Sequence, residues 1–412
     1  MGFLMSELLD RFCRYCQIHT EAIEGASSYP SSQGQLELGR MLVQELKDMG
    51  CAEVEQSPFG IVTATIPATT SKSVPVMAWV AHMDTSPETS GKNVKPTIHK
   101  NYNGQDIPLA GDPTKVLRVS DSPELSGYVG RTIITTDGTT LLGADNKAGV
   151  AVIMQTTKYL LEHPEIPHGK IRLCFTCDEE IGHGTDHIDL VHLGADIAYT
   201  LDGFGEGEIE AETFSADKAT VTITGVNIHP SVGKGKMVNA IRLASMFIDR
   251  LPKQSLSPET TEGREGFLHP YKIEGGVAQV TLHILLRDFE TANLTTQANL
   301  LKDIARGIEA EYPKARFSIE ITHQYRNMAD GIKKNPKVVS FAVEATRRAG
   351  LKPKLSLIRG GTDGSLLTAK GLPTPNLSTG EHNAHSPLEW TCLEEMESAC
   401  RVLVELAKIW AE

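Results

Sequence analysis

The chain has 412 residues, enough for one large core or for two domains. Its 40% hydrophobic and 22% charged content is ordinary for a globular protein in water. A formal net charge of −12 argues against a nucleic-acid partner, which asks for a basic face, and no apolar run approaches the roughly 20 residues of a membrane span.

Taken in order, residues 5–20 and 34–50 have helical spacing. In the second, Leu36, Met41, Leu42, Leu46 and Met49 fall near one face, and Gly50 ends it. The opening MGFLMSELLDRFCRYC has no basic region ahead of an apolar stretch, so no secretory leader is expected. Seven scattered cysteines fit a reducing cytoplasm better than a disulfide framework. Residues 60–67 and 74–81 read as strands, and the second runs directly into His82-Met83-Asp84-Thr85. Residues 85–130, rich in Gly, Pro, Asn and Asp, read as a long surface excursion.

A short strand at 132–136 is followed by Gly143-Ala144-Asp145-Asn146-Lys147-Ala148-Gly149 and a helix over 150–162. The stretch IRLCFTCDEEIGHG, residues 171–184, reads as a buried strand that stops at three consecutive acids. A further strand, 197–201, ends at Asp202-Gly203. Strands alternating with helices indicate an α/β domain. Near residue 214 the pattern changes. Strands at 217–224, 277–287 and 316–322, with helices at 238–251 and 292–311, predict an α+β insert covered on one sheet face. The chain then resumes α/β character with a helix at 336–349, a strand at 354–358 and a final helix at 392–410. The expected organisation is a catalytic domain in two segments, 1–213 and 329–412, interrupted by an α+β domain over 214–328.

Acids and imidazoles recur at the ends of these strands, where α/β sheets bind ligands. His82 and Asp84 lie two apart, so an extended backbone points both to one side. A metal-bound His commonly leans on a carboxylate, a role that suits Asp84. His82, Asp145, Glu180, Asp202 and His385 together suit a pair of zinc ions with one carboxylate shared and positions open to water. Two such ions would activate a water and polarise a carbonyl. Glu179, beside Glu180, is suited to take that water's proton.

The runs HMDTSP, TTDGTTLLGADNKAG, DEEIG, HPSVGKGKMVNA, RDFE, IRGGTDG and GLPTPNLSTG, in this order over nearly the whole chain, resemble the peptidase T family of co-catalytic di-zinc exopeptidases. The resemblance implies a mixed-sheet zinc-exopeptidase α/β domain interrupted by an α+β lid used for dimerisation, and removal of the N-terminal residue from tripeptides. It implies zinc ligation by His82, Asp145, Glu180, Asp202 and His385, with Asp145 bridging, Glu179 as general base and Asp84 supporting His82. His382 lies close to His385, but His385-Ser386-Pro387-Leu388-Glu389 matches the wider superfamily's His-Ser-x-x-Glu run. Asn146 stands where the family commonly has a second Asp. Arg287 and Arg359 are candidates for the substrate carboxylate, which an Arg fork binds through two parallel hydrogen bonds; pairing with Asp288 or Asp363 is the alternative. In related dimers a lid histidine reaches the neighbouring subunit's site, and His229 occupies that place here.

Two other readings compete with the tripeptide aminopeptidase. A dipeptidase, carboxypeptidase or N-acyl amino-acid deacylase would share the same metal residues, and the SGKNVKPT excursion speaks against them. A silent relative that only binds peptide or metal would have lost the base or a ligand, and every expected position is filled.

Overall fold

The computed structural model describes residues 5–412, and the first four residues of the opening run lie outside them. The described chain divides into two compact units, one of residues 5–211, 330–356 and 362–412, the other of residues 212–329 and 357–361.

The large unit is built on a mixed sheet. Its centre is four parallel strands in the order Ile171–Thr176, Met77–His82, Ile197–Phe204 and Asn376–His382. Val62–Ile66 and then Ala52–Gln56 extend it antiparallel on one side. On the other, Trp390–Cys392, Ile133–Thr135 and Thr97–His99 follow, each antiparallel to its neighbour. All six residues of Met77–His82 and of Ile171–Thr176 are buried, as expected of strands covered on both faces.

The helices bury the faces that their apolar spacing dictates. In Met5–Cys16 the buried residues are Leu8, Phe12, Tyr15 and Cys16; in Gln33–Asp48 they include Leu38, Leu42 and Leu46. Ala144–Glu162 is buried almost all round, lying against the sheet and packed by the helices Met5–Cys16 and Leu393–Ala411. Gly149 permits this closeness: an added Cβ there would sit 1.9 Å from the Leu201 carbonyl oxygen.

The smaller unit is an antiparallel four-stranded sheet in the order Phe267–Gly275, Gln279–Asp288, Ser215–Thr224, Arg316–Tyr325. Its strands alternate. Ala219, Val221 and Ile223 lie opposite Ile284, Leu282 and Val280 and face a core shared with Leu243 and Phe247 of one helix and Leu294, Leu301 and Ile308 of another. Those helices are Ala240–Asp249 and Thr291–Glu311. Residues 357–361 associate with this unit, whereas the motif order placed them in the second catalytic segment.

Candidate metal centre

The carboxyl ends of the four parallel strands carry His82, the turn after Thr176, Asp202 and Glu381. Asp145 comes from the start of the helix Ala144–Glu162, where it and Asn146 have non-helical dihedrals. Glu389 fixes this start from far along the chain. One of its oxygens accepts the N–H groups of Leu142 (2.7 Å) and Gly143 (2.8 Å), and the other that of Asp145 (3.1 Å). Asn146 is buried, and its Oδ1 accepts the Gly149 N–H at 3.2 Å, the bond of a helix cap. The amide oxygen in place of the family's common acid therefore has a structural partner.

His82 Nε2 lies 3.0 Å from Asp145 Oδ1 and 3.4 Å from Asp202 Oδ1. The other oxygen of Asp145 lies 3.3 Å from His385 Nε2, which is itself 2.9 Å from Glu180 Oε2. One carboxylate thus faces two imidazoles with separate oxygens, the arrangement of a bridging ligand. His382 points elsewhere. Its Nε2 meets Glu395 Oε2 at 2.8 Å, and its ring stacks on Trp390 with centroids 3.7 Å apart.

Asp84 is fully buried and joins two of these elements. His82 Nδ1 lies 3.2 Å from the Asp84 carbonyl oxygen and 3.4 Å from its Oδ1, which orients the ring with Nε2 toward Asp145. The same carboxylate accepts the backbone N–H groups of Glu179 (3.1 Å) and Glu180 (3.0 Å). Asp178, the first acid of the triplet, has φ 61° and turns away. Its carboxylate takes the Ser31 N–H at 2.7 Å and Gln35 Nε2 at 2.6 Å, tying the turn to the start of the helix Gln33–Asp48.

Asp363, the acid of the GGTDG run, is buried behind the turn. It accepts the Thr176 hydroxyl at 2.6 Å, while its Oδ1 has no hydrogen-bond partner. A Cβ on Gly184 would come within 2.0 Å of that oxygen, so the glycine makes room for the acid.

Seven carboxyl groups (Asp84, Asp145, Glu179, Glu180, Asp202, Asp363 and Glu381) share this region with two imidazoles. Among the described residues no Lys or Arg pairs with any of them. Lys147, buried nearby, donates instead to the Ile18 carbonyl at 2.8 Å. Burial pushes Glu179 well above the usual carboxylate range, and Glu180 up to about 8 with help from Asp145. It raises Asp202 to about 6 and Asp363 to about 7, and lifts Glu381 well above its ordinary value with Asp145 and Asp202 adding to the effect. Burial alone would raise Asp145 too, but its bonds to His385 and His82 hold it low. So many crowded acids call for cationic charge beyond two histidines. Glu180 Oε1, buried without a hydrogen-bond partner, is a donor atom available to such a cation. The mixture of carboxylate and imidazole is that of a divalent transition-metal site, and the residues fit two ions sharing Asp145. His82 and Asp202 would hold one; Glu180 and His385 would hold the other.

The three expected substrate contacts belong to the smaller unit. His229 is exposed, and its Nδ1 accepts from the Ser231 hydroxyl at 2.7 Å and N–H at 3.3 Å, which leaves the ring proton on Nε2. Arg287 is 8% exposed, with Nη1 donating to the carbonyls of Asp217 (3.1 Å) and Leu286 (3.0 Å). Arg359 donates to the carbonyls of Gly263, Glu265 and Thr261. Among the described residues neither forms an ion pair with Asp288 or Asp363. Backbone carbonyls, and for Arg359 also the Thr261 hydroxyl, are their partners instead, a local arrangement that motif position cannot foretell.

Residues 137–409 match Peptidase family M20/M25/M40, and the chain belongs to that family of peptide hydrolases. It is 45% identical over 409 residues, 99% of each chain, to a protein of Geobacillus kaustophilus called Peptidase T. Its fold is that of an aminopeptidase PepT from Bacillus cereus (TM-score 0.76, 24% identity) and of a tripeptidase from Staphylococcus aureus (TM-score 0.78, 23% identity), each match covering 100% of both chains. Among the described residues no helix is long and apolar enough to cross a membrane.

From the sequence alone Glu381 and Glu389 carry no assigned role, and Asp363 enters only as an alternative partner for an arginine. Glu389 had a signal, since it closes the His-Ser-x-x-Glu run. Asp363 had a weaker one in GGTDG. Glu381 had none, because NLSTGEH does not read as a buried strand.

Proposed function

We propose that this chain is a cytoplasmic metallo-aminopeptidase that releases the N-terminal residue from tripeptides, with two zinc ions held by His82, Asp145, Glu180, Asp202 and His385. The observation that carries the reading is Asp145, whose two oxygens face His82 and His385 separately at 3.0 and 3.3 Å. The relative called Peptidase T, at 45% identity over nearly the whole chain, supports the peptide class.

When bound, the two ions supply Lewis acidity to a water and to the scissile carbonyl. Glu179 takes the water's proton as the new C–O bond forms, and hands it to the amide nitrogen as the C–N bond breaks. A half-buried carboxyl with its proton affinity raised suits both halves of that transfer. Asp84 holds His82 in the tautomer that presents Nε2, and by gripping the Glu179 and Glu180 N–H groups it keeps base and ligand in one frame. Arg287 and Arg359 are assigned to the tripeptide carboxylate, and His229, with its proton on Nε2, to the developing oxyanion at the site of a partner subunit in a homodimer formed through the smaller unit.

The test is cleavage of a tripeptide, a dipeptide and an acetylated amino acid by metal-free protein titrated with zinc, manganese and cobalt, with products identified by mass. Loss of the first residue from the tripeptide, dependent on added metal, is the expected result. Faster turnover of the dipeptide or the acetylated amino acid would replace this reading with that of a dipeptidase or deacylase.

A further inference from the structure

Glu381 lies near the end of the central strand Asn376–His382 and is 1% exposed. A carboxylate oxygen of Glu381, one of Asp145 and one of Asp202 all lie within 4.8 Å of one another. An acid buried for structural reasons collects hydrogen-bond donors, as Glu389 does with three backbone N–H groups. Glu381 accepts one hydroxyl, that of Thr379 at 2.7 Å, and among the described residues no Lys, Arg or His pairs with it. Two neighbouring acids would make such a placement costly without a cation. A second observation points to cations on both sides of Asp145: Glu180, which shares a candidate ligand group with Asp145 and His82 and whose side chain is 5% exposed, has a buried oxygen with no hydrogen-bond partner.

We infer that Glu381 is a further metal ligand, added to the position that His82, Asp145 and Asp202 define. The inference rests on the metal-centre reading above and goes beyond it, because it makes the two positions unequal. The first has three carboxylates and one imidazole; the second, from Asp145, Glu180 and His385, has two carboxylates and one imidazole. Carboxylate oxygens favour harder ions, and a fourth protein ligand favours higher coordination numbers than the four of typical zinc sites. The first position therefore prefers manganese relative to the second, and Glu381 sets that preference.

Equilibrium binding to metal-free protein tests this without reference to turnover. Free Mn2+ is read by electron paramagnetic resonance, and zinc by competition with a chromophoric chelator. Wild-type protein is expected to bind two ions. Glu381→Gln, nearly isosteric and able to keep the Thr379 contact, is expected to weaken one Mn2+ site by about ten- to a hundredfold, to weaken zinc less, and to leave the other site unchanged. Glu381→Asp, which keeps the charge but withdraws it by one methylene, is expected to weaken the same site and stands in if the Gln variant melts early by circular dichroism. Unchanged Mn2+ affinity and an unchanged zinc-to-manganese ratio in a folded variant would overturn the role of Glu381 alone. Wild-type protein that binds neither ion would overturn the metal centre itself, a failure visible before any substitution is made.

Discussion

The two units bury their side chains by opposite rules. In the smaller unit the strands alternate along most of their length, so Val221, Ile223, Leu282 and Ile284 enter an apolar core. In the large unit the strands are buried on both faces, and their carboxyl ends crowd together acids that are buried (Asp84, Asp363, Glu381) or half-buried (Asp145, Glu179, Glu180, Asp202). Hydrophobic burial stabilises the first arrangement directly. The second is electrostatically unfavourable by itself and makes sense only as a binding site, with Asp84 and Glu389 holding it in place through backbone N–H groups. A polar cluster that lowers stability is therefore a better marker of function here than any apolar feature.

That contrast can be broken from either side. The largest effect is expected from Glu179→Ala, which should reduce turnover by about 10²–10⁴-fold while metal content after dialysis stays near wild type. Parallel loss of metal would make Glu179 a ligand instead. In the smaller unit, Phe247→Ala opens a cavity in the apolar core and should cost about 3–5 kcal/mol in denaturant unfolding, with metal content retained. Loss of metal on this substitution would show that the two kinds of burial are not separable.

Next in size, His385→Ala should weaken metal binding by at least about tenfold, read as metal retained on dialysis, whereas His382→Ala should lower the melting temperature by removing the Trp390 stack and the Glu395 bond. The reverse order would exchange the two imidazoles. A smaller signal comes from mixing inactive His229→Ala and Glu179→Ala subunits under conditions of exchange. If His229 serves the partner's site, half the dimers are mixed and one site in two works, so about a quarter of wild-type activity returns. Silence with exchange confirmed would return His229 to its own surface turn.

The smallest effect concerns a buried acid outside the centre. Burial raises Glu210, bonded to Asn376, to about 7. Its folded-state value lies above its unfolded one, so between about pH 4.5 and 7 the unfolded chain binds fewer protons and stability falls as pH rises. Glu210→Gln should flatten that slope by on the order of 1–2 kcal/mol, measured as urea midpoints at pH 5 and 8. An unchanged slope would assign the pH dependence elsewhere.

What the sequence makes readable follows from the same division. Period-two alternation reveals Ser215–Thr224 and Gln279–Asp288, and continuous apolar runs reveal Met77–His82 and Ile171–Thr176. Several strands escape both patterns. Ala52–Gln56 and Glu208–Thr213 are acid-rich, and Phe267–Gly275 contains Pro270. Asn376–His382 is central yet polar, because Asn376 bonds the Asp202 carbonyl and Glu210, and Glu381 faces Asp145 and Asp202. Its composition answers to the acids around it, and only the fold shows them. The region 85–130 is likewise more ordered than its Gly- and Pro-rich composition suggests, since Thr97–His99 closes one edge of the sheet and Ile107–Pro108 pairs with Val116–Leu117. Motif order, in contrast, marks His82, Asp145, Glu180, Asp202 and His385, and the fold brings these side chains into successive contact at the carboxyl end of the sheet.

The position of Asn376–His382 also dictates a schedule. It lies between Ile197–Phe204 and Trp390–Cys392, and the latter alone links Ile133–Thr135 and Thr97–His99 to the rest of the sheet. A nascent chain emerging from the ribosome therefore has a gap in the middle of its sheet until residue 392 is free to dock. His385 and Glu389 emerge with that same segment, the one the proposed ligand facing Asp145 and the other the clamp on its backbone N–H. If His385 holds metal as proposed, a chain made in this order completes its metal centre only with one of the last strands to join.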